Sequence, residues 1–334
     1  MALITARTAA GLPVFSARTR LLVIAPHPDD ETIATGVLMQ QVRAAGGEVQ
    51  LLLLTAGDNN PWPQRWLERR WRIGVLDRQR WARRRGEELL RALAALGIRP
   101  SALHTLNWPD LGVTELLLHS PDNAVATVAD AIGRFTPDLI ALPALQDEHP
   151  DHSAAHVLVR LALASQADAP TLLAYLVHGK AAGTRCVQID PTPAQMSNKR
   201  AALQEHRSQV ALSDKRLRRL TERPERYVNL RGEPRAARAT LPWQPARWLQ
   251  PWLQLELVSC AGVHRWAWRD APLRGAGDGQ FLLSLPASKQ SSPCFVKLSL
   301  SLTSPWIFDR WGWCELAAPG EPPVKEVAWP GRPS

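Results

Sequence analysis

Short apolar runs alternate with stretches of helical period from about residue 20 to residue 190, and this constrains the fold more than anything else in the chain. Residues 21–25, 49–55, 103–106, 138–142, 171–177 and 185–189 are expected as strands. Between them, residues 32–45, 79–96, 123–135 and 153–164 carry apolar side chains at helical spacing. In the first of these helices Ile33, Val37, Leu38 and Val42 share one face, and Gly46-Gly47 stops it. Strands alternating with helices imply an α/β fold: a Rossmann-like, mostly parallel sheet with helices on both faces.

The pattern changes further along. Residues 195–220 read as a long charged helical stretch, and prolines and arginines between residues 232 and 251 suit a linker. Beyond residue 240 lie nine of the 14 tryptophans, and residues 253–258, 280–285 and 295–302 largely alternate apolar with polar, which is a β pattern. We therefore expect a domain over residues 1–230 and a β-rich, Trp-rich appended module over 231–334. Two readings compete for its tryptophans: the core of a small β-sandwich, or exposed rings that stack on sugars.

No apolar run reaches the ~20 residues needed to span a bilayer. Residues 1–8 lack the basic and apolar regions of a secretory signal. Cys186, Cys260, Cys294 and Cys314 are widely spaced with no CxxC pair, which fits reduced thiols in the cytoplasm. The net charge is +9, and ten arginines fall between Arg65 and Arg91, interleaved with Trp66, Trp71 and Trp81. A solvated helical face explains them as well as a phosphate-binding surface does. No nucleic-acid-binding signature accompanies the charge, so no nucleic-acid partner is expected.

Two of the strands run into clusters of histidine and carboxylate. His27-Pro28-Asp29-Asp30-Glu31 follows residues 21–25, and His149-Pro150-Asp151-His152 follows residues 138–142. In open α/β sheets ligands bind beyond the carboxyl ends of the strands, so the clusters are expected to meet at one sheet edge. His27 and Asp30 can face one centre, and His149 and His152 repeat the spacing. Two imidazoles and a carboxylate form a three-ligand set that suits catalytic zinc, with a position left for water. The same set suits ferrous iron. The competing reading is structural, because an aspartate at a helix start commonly accepts N-terminal N–H groups. His156, one turn after His152, reads as a helix-face residue.

At these residues the chain resembles the GlcNAc-phosphatidylinositol deacetylase family, also called LmbE-like or PIG-L. The family signature AHPDDE appears as Pro26-His27-Pro28-Asp29-Asp30-Glu31, with Pro26 for the usual alanine, and HPDH is intact at residues 149–152. Thr55-Ala56-Gly57-Asp58, Arg84-Arg85-Gly86-Glu87, Trp108-Pro109-Asp110 and the stretch from Lys199 through His206-Arg207-Ser208-Gln209 also resemble it, so the likeness covers about residues 20–228. It implies His27, Asp30 and His152 as ligands of Zn2+ (or Fe2+ or another divalent metal). It also implies Asp29 as general base, and His149 as oxyanion stabiliser or proton donor to the leaving amine. Asp147 and Asp151 are expected to orient ligand imidazoles. Arg84 or Arg85, and Asp110, resemble substrate-contacting positions, and His206 competes between the site rim and a solvated helix.

The implied reaction is removal of the N-acetyl group from a GlcNAc-type glycoconjugate, giving acetate and an amino sugar. Rivals are an amidase acting on another N-acyl substrate and a sugar-binding relative without turnover. The aglycone and the oligomeric state are not readable. Residues 59–85 form a Trp- and Arg-rich insertion, expected as a lid over a phosphate-bearing or lipid-linked acceptor, with peripheral membrane contact. The ordinary alternative puts its tryptophans in the core and its arginines in water.

Overall fold

The computed structural model describes residues 12–166, 168–179, 186–230, 238–275, 279–284, 293–301 and 311–316. It opens with β1 (Arg20–Ala25), α1 (Asp30–Ala44) and β2 (Glu48–Thr55), then α2 (Pro61–Glu68), α3 (Val75–Ala95) and β3 (Leu103–Trp108). Next come α4 (Val113–His119), α5 (Pro121–Phe135), β4 (Leu139–Pro143), α6 (Pro150–Ala162), β5 (Thr171–Tyr175) and β6 (Val187–Ile189). α7 (Pro193–Glu205), α8 (Arg207–Thr221) and β7 (Glu225–Leu230) follow. These strands form a sheet of order β3-β2-β1-β4-β5-β7-β6.

β1 pairs in parallel with β2 and β4, β2 with β3, and β4 with β5, whereas β7 runs antiparallel to both β5 and β6. The chain steps outward from β1 in one direction through β2 and β3, then returns to β4 on its other side. The strand order therefore reverses between β1 and β4, which carry the two histidine clusters, and ligands bind at such a reversal.

Period-two alternation explains why β1 is apolar from Leu21 to Ala25. Leu21, Val23 and Ala25 enter one buried cluster with Val37 and Leu38 of α1, Leu89 and Leu93 of α3, and Leu203 of α7. Leu22 and Ile24 enter another with Leu117 of α4, Ile132 of α5 and Leu158 of α6. A strand covered on both faces has no polar side. Each fully buried leucine or isoleucine contributes about 1.5–3 kcal/mol.

Several expected boundaries move. Helix α3 starts at Val75, α6 at Pro150, and α5 at Pro121 behind a separate α4. The single helix expected over 195–220 is two, because His206 at φ −76°, ψ 53° breaks it between α7 and α8. Residue 185 of the expected sixth strand lies outside the described residues, as do residues 1–11.

The remaining strands are antiparallel. β8 (Arg238–Thr240), β9 (Leu253–Ser259), β10 (Gly262–Ala267), β11 (Leu273–Gly275), β12 (Phe281–Ser284), β13 (Cys294–Leu300) and β14 (Cys314–Glu315) make sheets of order β10-β9-β13-β14 and β11-β12-β8. β8 corrects the expected linker over 232–251: it pairs with β12 through Leu282–Thr240 and Leu283–Ala239. Residues 232–237 of that linker lie outside the described residues, as do residues 285 and 302 of the expected strands.

Leu255, Leu257, Val296, Leu298, Leu283 and Trp268 form a core of their own. The opposite face of the four-stranded sheet sends Val258 and Phe295, with Trp313, into the same cluster as Leu22 and Leu158. Arg160 of α6 pairs with Glu315 through both guanidinium nitrogens at 2.9 and 2.7 Å. Trp268 and Trp313 are buried, while Trp248 and Trp252 are exposed.

Candidate metal centre

β1 ends at Ala25 and α1 begins at Asp30, so residues 26–29 turn the chain sharply. Asp29 takes the strain, at φ 110° and ψ −27°, and makes no side-chain cap to the helix below it. Such a conformation in a non-glycine residue costs of order 1–3 kcal/mol and marks a site where something else is gained. Its backbone N–H donates to Glu31 Oε2 at 2.9 Å. The capping explanation of Asp29 thus fails, and its carboxylate stays available for chemistry.

His27, Asp30 and His152 converge. His27 Nδ1 lies 3.2 Å from Asp30 Oδ2 and 3.3 Å from His152 Nε2, and His152 Nε2 lies 3.1 Å from Asp30 Oδ2. Ligands about 2.0–2.1 Å from a tetrahedral zinc stand roughly 3.3 Å apart, so this triangle of donor atoms fits such an ion. Donor atoms also cluster in the overlapping sets His27/His149/His152, Asp30/His152/His178 and His27/Asp110/Asp151.

Carboxylates stand behind both imidazoles of this triangle. His27 Nε2 sits 3.3 Å from Asp110 Oδ1 and 3.3 Å from Asp151 Oδ2. Asp151 is fixed in turn by the N–H groups of Leu111 at 2.8 Å and Val113 at 3.1 Å. His152 Nδ1 lies 3.1 Å from Asp147 Oδ2, which accepts from the N–H groups of Val177 and His178, while Asp147 Oδ1 accepts from His149 N. Carboxylates behind ligand histidines are the usual way metal sites set ring orientation.

The electrostatics ask for a cation. Burial opposes charge on His152, yet Asp147 and Asp30 push its pKa up to about 10. Burial also opposes charge on His27, but Asp110, Asp151 and Asp30 raise it well above the usual histidine value. Burial would raise Asp30, but His152 and His27 hold it well below the ordinary carboxylate range. Asp30, Asp110, Asp147 and Asp151 are buried around the two imidazoles, an acidic setting that a divalent ion would partly neutralise.

Around this centre stand the other expected residues. Burial pushes Asp29 up to about 6, with Arg85 opposing. Arg85 is buried and donates to the carbonyls of Gly57 and Pro28, whereas Arg84 is largely exposed and pairs with Glu88 at 3.3 Å. The structure thus brings Arg85, and not Arg84, to the site. Asp110 Oδ2 accepts from Asn59 N at 2.6 Å, so its carboxylate is committed to His27 and this loop. His206 is buried, not solvated, with Nε2 at 3.1 Å from Glu31 Oε1. His156 is buried too, with Nδ1 at 2.9 Å from the Pro143 carbonyl. His149 Nδ1 accepts the Asp151 N–H at 3.2 Å, which leaves the ring proton of neutral His149 on Nε2.

His178 escaped the sequence reading. Its ring centroid lies 5.0 Å from that of His152 and 5.6 Å from that of His149, and Arg216 contacts its Nδ1 at 2.8 Å. Burial, and then His152, pull its pKa down to about 4. The signal was a histidine just past the end of β5, the strand beside β4.

Fold and site together define an α/β protein whose strand-order reversal carries a buried His/Asp cluster that could hold a metal ion. Residues 22–163 match the model of the PIG-L family, described as GlcNAc-PI de-N-acetylase. A Mycolicibacterium gilvum protein described as 1D-myo-inositol 2-acetamido-2-deoxy-alpha-D-glucopyranoside deacetylase is 32% identical over 161 residues, or 44% of this chain and 55% of that one. A Mycobacteroides abscessus protein of the same description is 33% identical over 137 residues, or 40% and 45%. The chain thus spans about half the length of the curated relatives it matches. Among solved structures, an N,N'-diacetylchitobiose deacetylase from Pyrococcus horikoshii superposes with TM-score 0.49 at 20% identity, covering 64% of this chain and 84% of that one.

Proposed function

We propose that this protein is a metal-dependent N-deacetylase of a GlcNAc-type glycoconjugate. The observation that carries the reading is the His27–Asp30–His152 triangle with a strained, uncapped Asp29 beside it. A bound divalent ion, Zn2+ in our reading, supplies Lewis acidity that acidifies water and polarises an amide carbonyl.

The protein's own groups do the rest. Asp29 accepts the proton of the attacking water as the new C–O bond forms. His149, neutral and carrying its proton on Nε2, donates a hydrogen bond to the carbonyl oxygen as it becomes anionic. Because its Nδ1 is taken by the Asp151 N–H, this role fits it better than that of an imidazolium acid. The proton held on Asp29 passes to the leaving nitrogen, the C–N bond breaks, and acetate and the sugar amine depart. Asp147, Asp151 and Asp110 keep the ligand rings aimed, and Arg85 holds the Asp29 turn.

The acceptor beyond the acetamide we take to be phosphate-bearing or lipid-linked, on the strength of the arginines after Asn59. We also propose the division at residue 230, with 231–334 a β module that covers one face of the α/β domain, and a cytoplasmic location. Acetate release from a panel of N-acetyl sugars, with Asp29→Asn as control, tests the activity. Turnover is expected in the parent and a loss of about 10²–10⁴-fold in the variant. Equal turnover in the two would overturn the mechanism.

A further inference from the structure

Among the described residues, six of the twelve exposed large apolar side chains lie in one short stretch, residues 62–76. Trp62 is 62% exposed, Trp66 66%, Trp71 86%, Val75 72% and Leu76 76%. Each tryptophan offers roughly 150–250 Å² of surface. So much exposed apolar surface within fifteen residues is what proteins rarely leave bare unless it binds something.

The stretch is displayed on a fixed support. Pro63 and Gln64 of α2 are buried, and Gln64 Nε2 donates to the Asp77 carbonyl at 2.7 Å. Arg70 and Arg80 both pair with Asp77, and Arg80 also reaches Glu68. Trp62 and Trp66 are four apart on α2 and share a face, and the Arg65 guanidinium lies 5.0 Å over the Trp62 ring. Trp81, by contrast, is 1% exposed and belongs to the core. The core explanation therefore holds for one tryptophan of this stretch and fails for three.

Charge narrows the occupant. Residues 61–80 hold six arginines against two acidic residues, Glu68 and Asp77. Both acids are already neutralised by Arg70 and Arg80, and Arg69, Arg72 and Arg78 enter no ion pair among the described residues. A second copy of the chain would set this positive face against itself. We infer that the face docks on an anionic lipid bilayer, with the indole rings and Val75 and Leu76 at the headgroup boundary and the arginines on lipid phosphates.

The position adds a consequence. Asn59, next to the Asn60 cap of α2, donates to Asp110 behind the metal ligand His27. A bilayer held by this face would lie beside the metal centre.

Vesicle co-sedimentation of the full-length protein tests the proposal without turnover, so its outcome is separate from that of the deacetylase reading. Binding is expected to phosphatidylcholine vesicles containing phosphatidylglycerol, and to fall off on pure phosphatidylcholine and at high salt. Trp62→Ser/Trp66→Ser/Trp71→Ser and Arg69→Ser/Arg72→Ser/Arg78→Ser should each lower partitioning by roughly tenfold or more. Thermal melting serves as the folding check, and single Trp71→Ser, at the most exposed position, as the milder variant. Equal binding to neutral vesicles, undiminished binding in the tryptophan variants, or a patch-dependent dimer without vesicle binding would each overturn it.

Discussion

The guanidinium of Arg85 lies 3.8 Å from the carboxylate of Asp29 while it donates to the carbonyls of Pro28 and Gly57. One buried cation thus holds the turn that strains Asp29 and also tunes its charge. Burial places Asp29 at about 6, and Arg85 is the largest influence pulling the other way. As a base Asp29 works only when ionised, so kcat/KM should fall as pH drops through about 6. Removing the cation makes ionisation harder and moves this acid limb to higher pH. Arg85→Met should show the shift and Arg85→Lys much less of it. A limb that stayed put in Arg85→Met would separate the two residues functionally.

Gly57 makes room for that guanidinium. It sits at φ +63°, and a Cβ there would approach Arg85 Nη1 to 1.8 Å. Gly57→Ala should therefore displace Arg85 and destabilise the fold by about 1 kcal/mol or more. Denaturant unfolding and kcat report the two effects together. A variant of wild-type stability and rate would show that the arginine has another place to go.

Metal binding should release protons. Without an ion, the surrounding carboxylates raise both imidazoles above the usual histidine value, which favours their protonated forms. Both rings must be neutral to ligate. Calorimetric titration of Zn2+ into chelator-stripped protein, in buffers of different ionisation enthalpy, should show net proton release at pH 7. Affinity should weaken as pH falls, and His152→Ala should abolish tight binding. Release of no protons would count against this ligand set.

The β module is fastened through Phe295, which is fully buried in the cluster that holds Leu22 and Leu158. Phe295→Ala should cost about 3–5 kcal/mol. Removing residues 240–334 should destabilise the α/β domain too, because Val258, Phe295 and Trp313 are its cover over α6. If the truncated chain melted at the parent temperature, the shared core would carry no energy.

Sequence alone determined the strands around β1 and β4, because a strand buried on both faces is apolar in its core, and it offered the candidate ligand types, because HxxD and HxxH place donors at one spacing. It also located the strand-end clusters, since the C-terminal edge of a parallel sheet is where ligands sit. What it left open depended on long-range packing. That Arg85 and not Arg84 turns inward follows from Gly57 and Pro28 on other segments. The buried state of His206 follows from Glu31, 175 positions away in the chain. His178 joins the centre only because β5 lies beside β4. The tryptophans of residues 62–81 look alike in one dimension. Only the tertiary structure sends Trp81 into the core and leaves Trp62, Trp66 and Trp71 in water, because burial depends on which face of a segment finds a neighbour.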